Sequence, residues 1–268
     1  MHNFHLVGVL HLPPLPGAVN YEGAPVRAIA EAAAEDALIL QNAGFTAVMI
    51  QDASDNPQPT LLNTATVAAM AAIGVIVKAH TTISLGVVAG HNDGPASVAI
   101  AHAIGAEFVR VKVLTGVSLG PTGWMEGCSL QVAQMKRLLG NTAQVWADAH
   151  EATSLALAGD VAWAADQALG FGGADKIIVT RDSGVLDAID DIARVKAAVG
   201  SDVDVLIGGR VTGATLGSAL RASNGAILGS VLKTGQGYDA RIDEAVAVSL
   251  GSEYRDWLAT TNTSSTTV

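Results

Sequence analysis

The chain has 268 residues, half of them hydrophobic, 15% charged and 29 of them glycine; that is enough apolar material for one large core or two ordinary ones, and too much for a disordered chain. Its formal charge of −10 argues against nucleic acid or an anionic membrane surface as partner, so any anionic ligand needs a local cluster of donors. The lone cysteine, Cys128, excludes an internal disulfide and multi-cysteine metal centres. No signal-type leader and no uninterrupted apolar run of membrane-spanning length is read from the sequence, which makes a cytoplasmic protein without an integral membrane segment the expectation.

Short runs rich in Val, Ile and Leu recur along the chain, each suited to a buried strand: Leu6–Leu10, Ala47–Ile50, Ser84–Val88, Phe108–Val113, Gln144–Ala147, Lys176–Val179, Val205–Ile207 and Ala226–Leu228. Ala-rich segments with helical periodicity lie between most of them. From Pro25 to Ala43 the apolar positions Val26, Ile29, Ala33, Ala37 and Leu40 repeat at three-to-four spacing, and Gly44 ends the run. Asp93 to Ile104 predicts a second helix with Asn92 or Asp93 as its cap and Gly105 as its stop. Asp187 to Val199, stopped by Gly200, predicts a third. Eight such strands in alternation with helices predict an α/β protein of the (β/α)8 TIM-barrel type. An open doubly wound sheet normally carries G-x-G-x-x-G after its first strand, whereas here the first strand runs into Pro13, Pro14 and Pro16. The expected organisation is one barrel over residues 1–258 and a flexible polar tail over 259–268.

In such a barrel the residues just after each strand gather at one mouth. In chain order these are His11, then Asp52 and Asp55, then His91, Asn92 and Asp93. Lys112, Asp148, His150, Glu151, Arg181 and Asp182 follow, and Gly208, Gly209, Arg210, Gly229 and Ser230 close the series. Two consecutive strands ending in glycine, at Gly208–Gly209 and Gly229–Ser230, let bare backbone N–H groups approach an anion, and barrels often bind phosphate between their last two loops. These four residues are the expected phosphate site. Ser230 would add a hydroxyl donor, Thr212 would cap the next helix, and Arg210 or Lys233 would add charge.

The order of "GVLHLPPLPG", "LGVVAGHNDGPASVAIAHAIGAEFVRVKV", "WADAH", "LIGGRVT" and "ILGSVLK" resembles the BtpA/SgcQ family, with matches spread from Val7 to about Arg241. The resemblance implies a TIM barrel, and the late glycine motifs, shared by many phosphate-binding barrels, keep the expected fold a barrel of phosphate-binding type. It brings two functional labels, photosystem I biogenesis and a sugar- or nucleotide-linked enzyme. The chain departs from the family pattern at the mouth. An arginine after the third strand is replaced within Ala89-Gly90-His91-Asn92-Asp93, and Lys112 stands where the family has asparagine. Asp148-Ala149-His150-Glu151 replaces an expected Lys-His pair.

The polar set suits proton transfer on a small phosphorylated metabolite. His11, Asp52, Lys112 and Asp148 are the expected catalytic residues: two carboxylates as acid and base, a lysine beside them for a developing anion, and an imidazole for proton transfer near neutrality. Asn92, Asp93, Arg181 and Arg210 are expected to bind substrate. A divalent ion on Asp52, Asp148 and His150 is weighed and not adopted, because no helical histidine pair supports it; no cofactor is assigned. Trp124 and Met125 lie in the long loop after the fourth strand, where exposed apolar residues make either a lid or a contact in a homo-oligomer. Cys128, near a helix start, is either a low-pKa thiol or packing. Two functions stay open. One is an isomerase, epimerase or hydrolase with a small phosphorylated substrate; the alternative is a non-catalytic assembly factor of the photosystem I biogenesis type.

Overall fold

Eight parallel strands close into a barrel in the order β1-β11-β10-β9-β7-β4-β3-β2, as the computed structural model shows for residues 4–53, 56–157, 159–235, 237 and 240–264. Asp55 lies outside the described residues. The barrel strands are β1 (His5–His11), β2 (Ala47–Gln51), β3 (Ser84–Val88), β4 (Phe108–Val111), β7 (Gln144–His150), β9 (Lys176–Thr180), β10 (Val205–Gly208) and β11 (Gly225–Leu228). The helices are α1 (Val26–Ala43), α2 (Thr64–His80), α3 (Gly94–Ile104), α4 (Ser129–Leu139), α5 (Val161–Gly170), α6 (Val185–Val199), α7 (Gly213–Ala222) and α8 (Glu244–Ser264). They cover the outside of the barrel. No helix among the described residues is long and apolar enough to cross a membrane. Because α8 runs to Ser264, residues 259–264 are helical where the sequence predicted a polar tail.

The helix boundaries follow local chemistry. Asp93 caps α3 by accepting the Ala96 N–H at 3.0 Å, and Gly105 ends it in the left-handed region at φ 68°, where a side chain would be strained. Gly44 stops α1 in the same way at φ 97°. The buried stripe of α1, which includes Ile29, Ala33, Ala37 and Leu40, is the one its periodicity predicts.

Alternation along the strands separates two cores. Outward residues such as Leu6, Val48 and Ile177 pack under the helices, while Val7, Val9, Met49, Phe108, Trp146, Ile178, Leu206 and Ile227 fill the barrel interior. Phe108 and Trp146 stack at 3.8 Å between ring centroids and 11° between planes. Gly86 on β3 makes room for them, since a Cβ there would lie 2.2 Å from Phe108. The closed end carries a polar plug. Lys176 donates to His5 Nε2 at 2.6 Å and to Asp204 at 2.7 Å, with its ammonium 5.4 Å from the Trp146 ring centre. Burial and the adjacent Lys176 ammonium push His5 down to about 4, against the opposing pull of Asp204.

A small antiparallel sheet was not anticipated from the sequence. Strands β5 (Val117–Gly120) and β6 (Gly123–Glu126) form a hairpin after β4, and β8 (Leu155–Ala156) joins it from the segment after β7. Trp124, Leu119 and Leu155 sit side by side on its exposed face, whereas Met125 on the other face is fully buried. The long loop is thus ordered structure, and of the two apolar residues read from it only Trp124 is exposed.

Candidate active site

The interior alternation that puts Val9, Met49, Phe108, Trp146 and Ile178 in the barrel puts His11, Gln51, Arg110, Asp148 and Thr180 two residues further along, at the mouth. A cavity of about 300 Å³ opens there, and His11, Arg110, Glu151, Thr180, Gly209, Arg210, Gly229 and Ser230 are among its lining. The paired glycine turns and the first-strand histidine therefore share one cavity. Gly229 permits this closeness: a Cβ on it would stand 2.9 Å from the His11 ring. Gly209 turns in the left-handed region at φ 68°, followed by Arg210 at φ 56°. Gly208 ends β10 beneath them, within reach of Thr180.

The strongest electrostatic feature was missed by the sequence reading. Arg110 projects into the barrel and grips Asp148 with two hydrogen bonds, Nε to Oδ1 at 2.9 Å and Nη2 to Oδ2 at 2.7 Å. The Asp148 side chain is 0% exposed. Burial pushes its carboxyl up, and the bidentate guanidinium opposes that rise. Both oxygens of the Asp148 carboxylate are thus engaged by Arg110. The missed signal is the spacing of Phe108, Arg110 and Lys112, three alternate residues on the face of β4 that points inward.

Lys112 is buried, and burial lowers its ammonium while Glu151, Asp148 and Asp52 pull it back up. Glu151 carries the opposite balance. Burial would raise it, but Lys112, the hydrogen bonds from Thr153 and the charge of Arg110 outweigh that and hold it below its ordinary value. Thr153 fixes its orientation, with its N–H 2.9 Å and its hydroxyl 2.7 Å from Oε2. Glu151 is thus a carboxylate that lines the cavity and is held in its charged form. His11 is held down to about 4, first by burial and then by Lys233, Arg110 and Lys112, so its imidazole is neutral at physiological pH. This differs from the near-neutral titration expected of it.

Asp52 lies beside the main cavity rather than in its lining. It accepts the Gly90 N–H at 2.9 Å and borders a small gap of about 20 Å³ under Pro13 and Pro14. Burial raises it to about 6 against the pull of that hydrogen bond and of Lys112.

The expected substrate-binding residues divide. Arg210 lines the cavity at its exposed rim, paired with Asp182 at 2.6 Å. Asn92 instead ties loops together, accepting the Val113 N–H at 2.9 Å and donating to Val113 O and Glu126 O. Asp93 caps α3 and accepts the Leu62 N–H at 2.9 Å. Arg181 turns to the helix layer, where it pairs with Asp191 of α6 and donates to His150 Nε2 at 2.7 Å. The other nitrogen of His150, Nδ1, donates to Thr180 O at 2.6 Å. With both His150 nitrogens and the Asp148 carboxylate engaged, the conceived Asp52–Asp148–His150 metal set does not assemble; among the described residues no cluster of three His, Cys, Asp or Glu could hold an ion. Cys128 is a packing thiol, pushed up to about 11 by burial.

With this geometry in view, three comparisons bear on the chain. The BtpA family model matches residues 2–252. An uncharacterized protein of Thermococcus kodakarensis is 32% identical over 91% of this chain and 90% of its own length. The photosystem I biogenesis protein BtpA of Synechocystis is 29% identical, covering 89% of this chain and 83% of its own. Among solved structures, one described as native KDPGal superposes with a TM-score of 0.58 at 21% identity, covering 95% of this chain and 96% of its own. Phosphoribosyl anthranilate isomerase of Thermococcus kodakaraensis gives 0.54 at 14% identity, covering 94% and 99%. At these identities the structural likeness speaks for the barrel fold alone.

Proposed function

The chain belongs to the BtpA family, and from that premise we propose that it is an isomerase or epimerase that binds a small phosphorylated metabolite at the C-terminal mouth of its barrel. The observation that carries this reading is the single cavity of about 300 Å³ lined by His11, Arg110, Glu151, Gly209, Gly229 and Ser230. The backbone of the two glycine turns and the Ser230 hydroxyl offer donors to a phosphate. In the barrel order β1 and β7 stand four places apart, so His11 and Glu151 face one another from opposite walls.

That opposition suits removal of a proton from one face of a carbon beside a carbonyl and its return at another position or face. Glu151, ionised and held by Thr153, is the base. Arg110, aimed by Asp148, stabilises the oxyanion that develops on the carbonyl. His11, a neutral imidazole, donates a hydrogen bond to the same oxygen or exchanges its proton. An anion bound beside Gly229 raises the His11 pKa by partly cancelling the neighbouring cations, which brings it nearer to the working range. The name of the Synechocystis relative motivates the assembly-factor alternative, but a cavity lined by His11, Arg110, Glu151 and Arg210 favours ligand chemistry.

Thermal-shift screening with sugar phosphates of three to six carbons tests the binding step. The melting temperature rises with phosphorylated sugars and not with the parent sugars, and Gly209→Asp or Ser230→Glu removes the rise. Solvent deuterium entering the ligand carbon, followed by NMR and lost in Glu151→Gln, tests the chemistry. Equal shifts with the parent sugars, or phosphate shifts that survive both charge-introducing variants, would overturn the reading.

A further inference from the structure

Beside the mouth a second cavity, of about 230 Å³, opens between the end of β1, the first half of α1 and residues 240–242. Its character is different. Leu10, Leu12, Ile29, Ala32, Ala33 and Ile242 make most of the wall, with Asp36 and Arg241 among its few polar groups. His11 and Val9 line both this slot and the mouth cavity, so the imidazole stands at the junction of the two.

The slot is held open by fixed parts. Pro13 and its neighbours stiffen one wall. On the other side Arg241 fastens the 240–242 segment to α1, donating to Asp36 at 2.9 Å, to Glu35 at 3.0 Å and to Ala32 O at 3.0 Å. Alanines stand where one larger side chain would fill the space. An unfilled apolar cavity costs stability in proportion to its volume, and water gains few partners inside it. About 150 Å³ is enough for a benzene ring in an apolar protein cavity, so this slot accommodates a substituted ring.

We propose that this slot is a subsite for an apolar, ring-sized group, and that the ligand is amphiphilic: its phosphorylated end in the mouth, its ring between β1 and α1, with His11 at the join. The inference rests on the proposed function for the phosphate end, while the slot itself rests on the cavity. It narrows the substrate class from sugar phosphates in general to phosphate monoesters that carry an aromatic or compact alicyclic group.

The test compares phenyl phosphate and 2-phenylethyl phosphate with glycerol 3-phosphate by titration calorimetry, with benzyl alcohol as a probe that lacks phosphate. Burying a ring is expected to tighten binding of at least one aryl phosphate about tenfold over glycerol 3-phosphate. Ala32→Phe, at a half-exposed position that tolerates the larger side chain, fills the slot and removes that advantage while glycerol 3-phosphate still binds within about twofold of wild type. Ala28→Leu, at an exposed position, is the second filling variant should Ala32→Phe fold poorly. If no phosphate binds but benzyl alcohol raises the melting temperature of the wild type and not of the filled variants, the proposed function fails and the slot stands. No aryl advantage in the wild type together with no benzyl alcohol response, or an advantage that persists in both filled variants, would overturn the inference.

Discussion

Replacing Arg110 with methionine removes a charge from the barrel interior while nearly conserving volume, and so isolates what the buried pair contributes. The Asp148 carboxylate has no exposed surface and receives both guanidinium bonds, at 2.7 and 2.9 Å. Stripped of that partner, a buried charge costs about 3–5 kcal/mol, a large part of the stability of an ordinary domain. The cost depends on pH with a definite sign. Without Arg110 the folded-state pKa of Asp148 rises far above the unfolded value of about 3.9, so above that pH the native state holds a proton that the unfolded state has released. Stability of Arg110→Met therefore falls as pH rises, by up to about 1.4 kcal/mol per pH unit, until the folded pKa is passed. Urea unfolding followed by tryptophan fluorescence at pH 5 and pH 8 measures both quantities. The double variant Arg110→Met/Asp148→Leu recovers most of the loss, because well-packed apolar residues replace a buried ion pair at little cost. A loss under about 1 kcal/mol at pH 8, or equal losses at the two pH values, would refute the claim that Arg110 stabilises the buried Asp148 carboxylate.

Three further outcomes follow from the same forces. Asp52, raised to about 6 by burial, costs the fold stability as pH climbs from 3.8 through 6; Asp52→Asn, which keeps an acceptor for Gly90, gains about 1–3 kcal/mol at pH 8 and nothing below pH 4, and a pH-independent effect would count against the assignment. His5, held to about 4, has the opposite sign: the unfolded chain takes up its proton first, so stability drains away between pH 6.5 and 4, and His5→Gln should flatten that limb in acid titrations followed by circular dichroism. Gly86→Ala drives a methyl group into Phe108 at 2.2 Å and costs about 1–3 kcal/mol by overpacking; Phe108→Leu should relieve much of it, whereas strict additivity of the two would speak against the contact.

Much of the frame was legible because it depends on local pattern. The eight apolar runs need only their burial on two faces to read as parallel strands, and Gly44 and Gly105 need only their left-handed geometry to stop helices. His11 and the glycine turns were legible for the same reason: strand ends in a closed barrel converge whatever the loops do. The rest depends on partners far away in the chain. Nothing near Asn92 reveals that Val113 and Glu126 will claim its amide, and Arg181 meets Asp191, ten residues on, only once α6 has packed against the barrel. Arg110 was recoverable in principle, because strand alternation places it beside Phe108 and Lys112, but an arginine amid valines reads as an outward side chain unless the phase is followed from the core. The β5–β6–β8 sheet was not legible at all, since its strands are too short to show a period and one comes from a different excursion.

That sheet has a bearing on the chemistry. Hairpin β5–β6 belongs to the crossing that leaves β4, and β8 to the one that leaves β7, only a few residues after Glu151 and Thr153. Their ladder staples two neighbouring excursions into one plate, so the segment that carries Glu151 is tethered from outside the barrel as well as from within. A deletion that looks cosmetic at the hairpin tip is therefore expected to loosen the segment that carries Thr153 and Glu151.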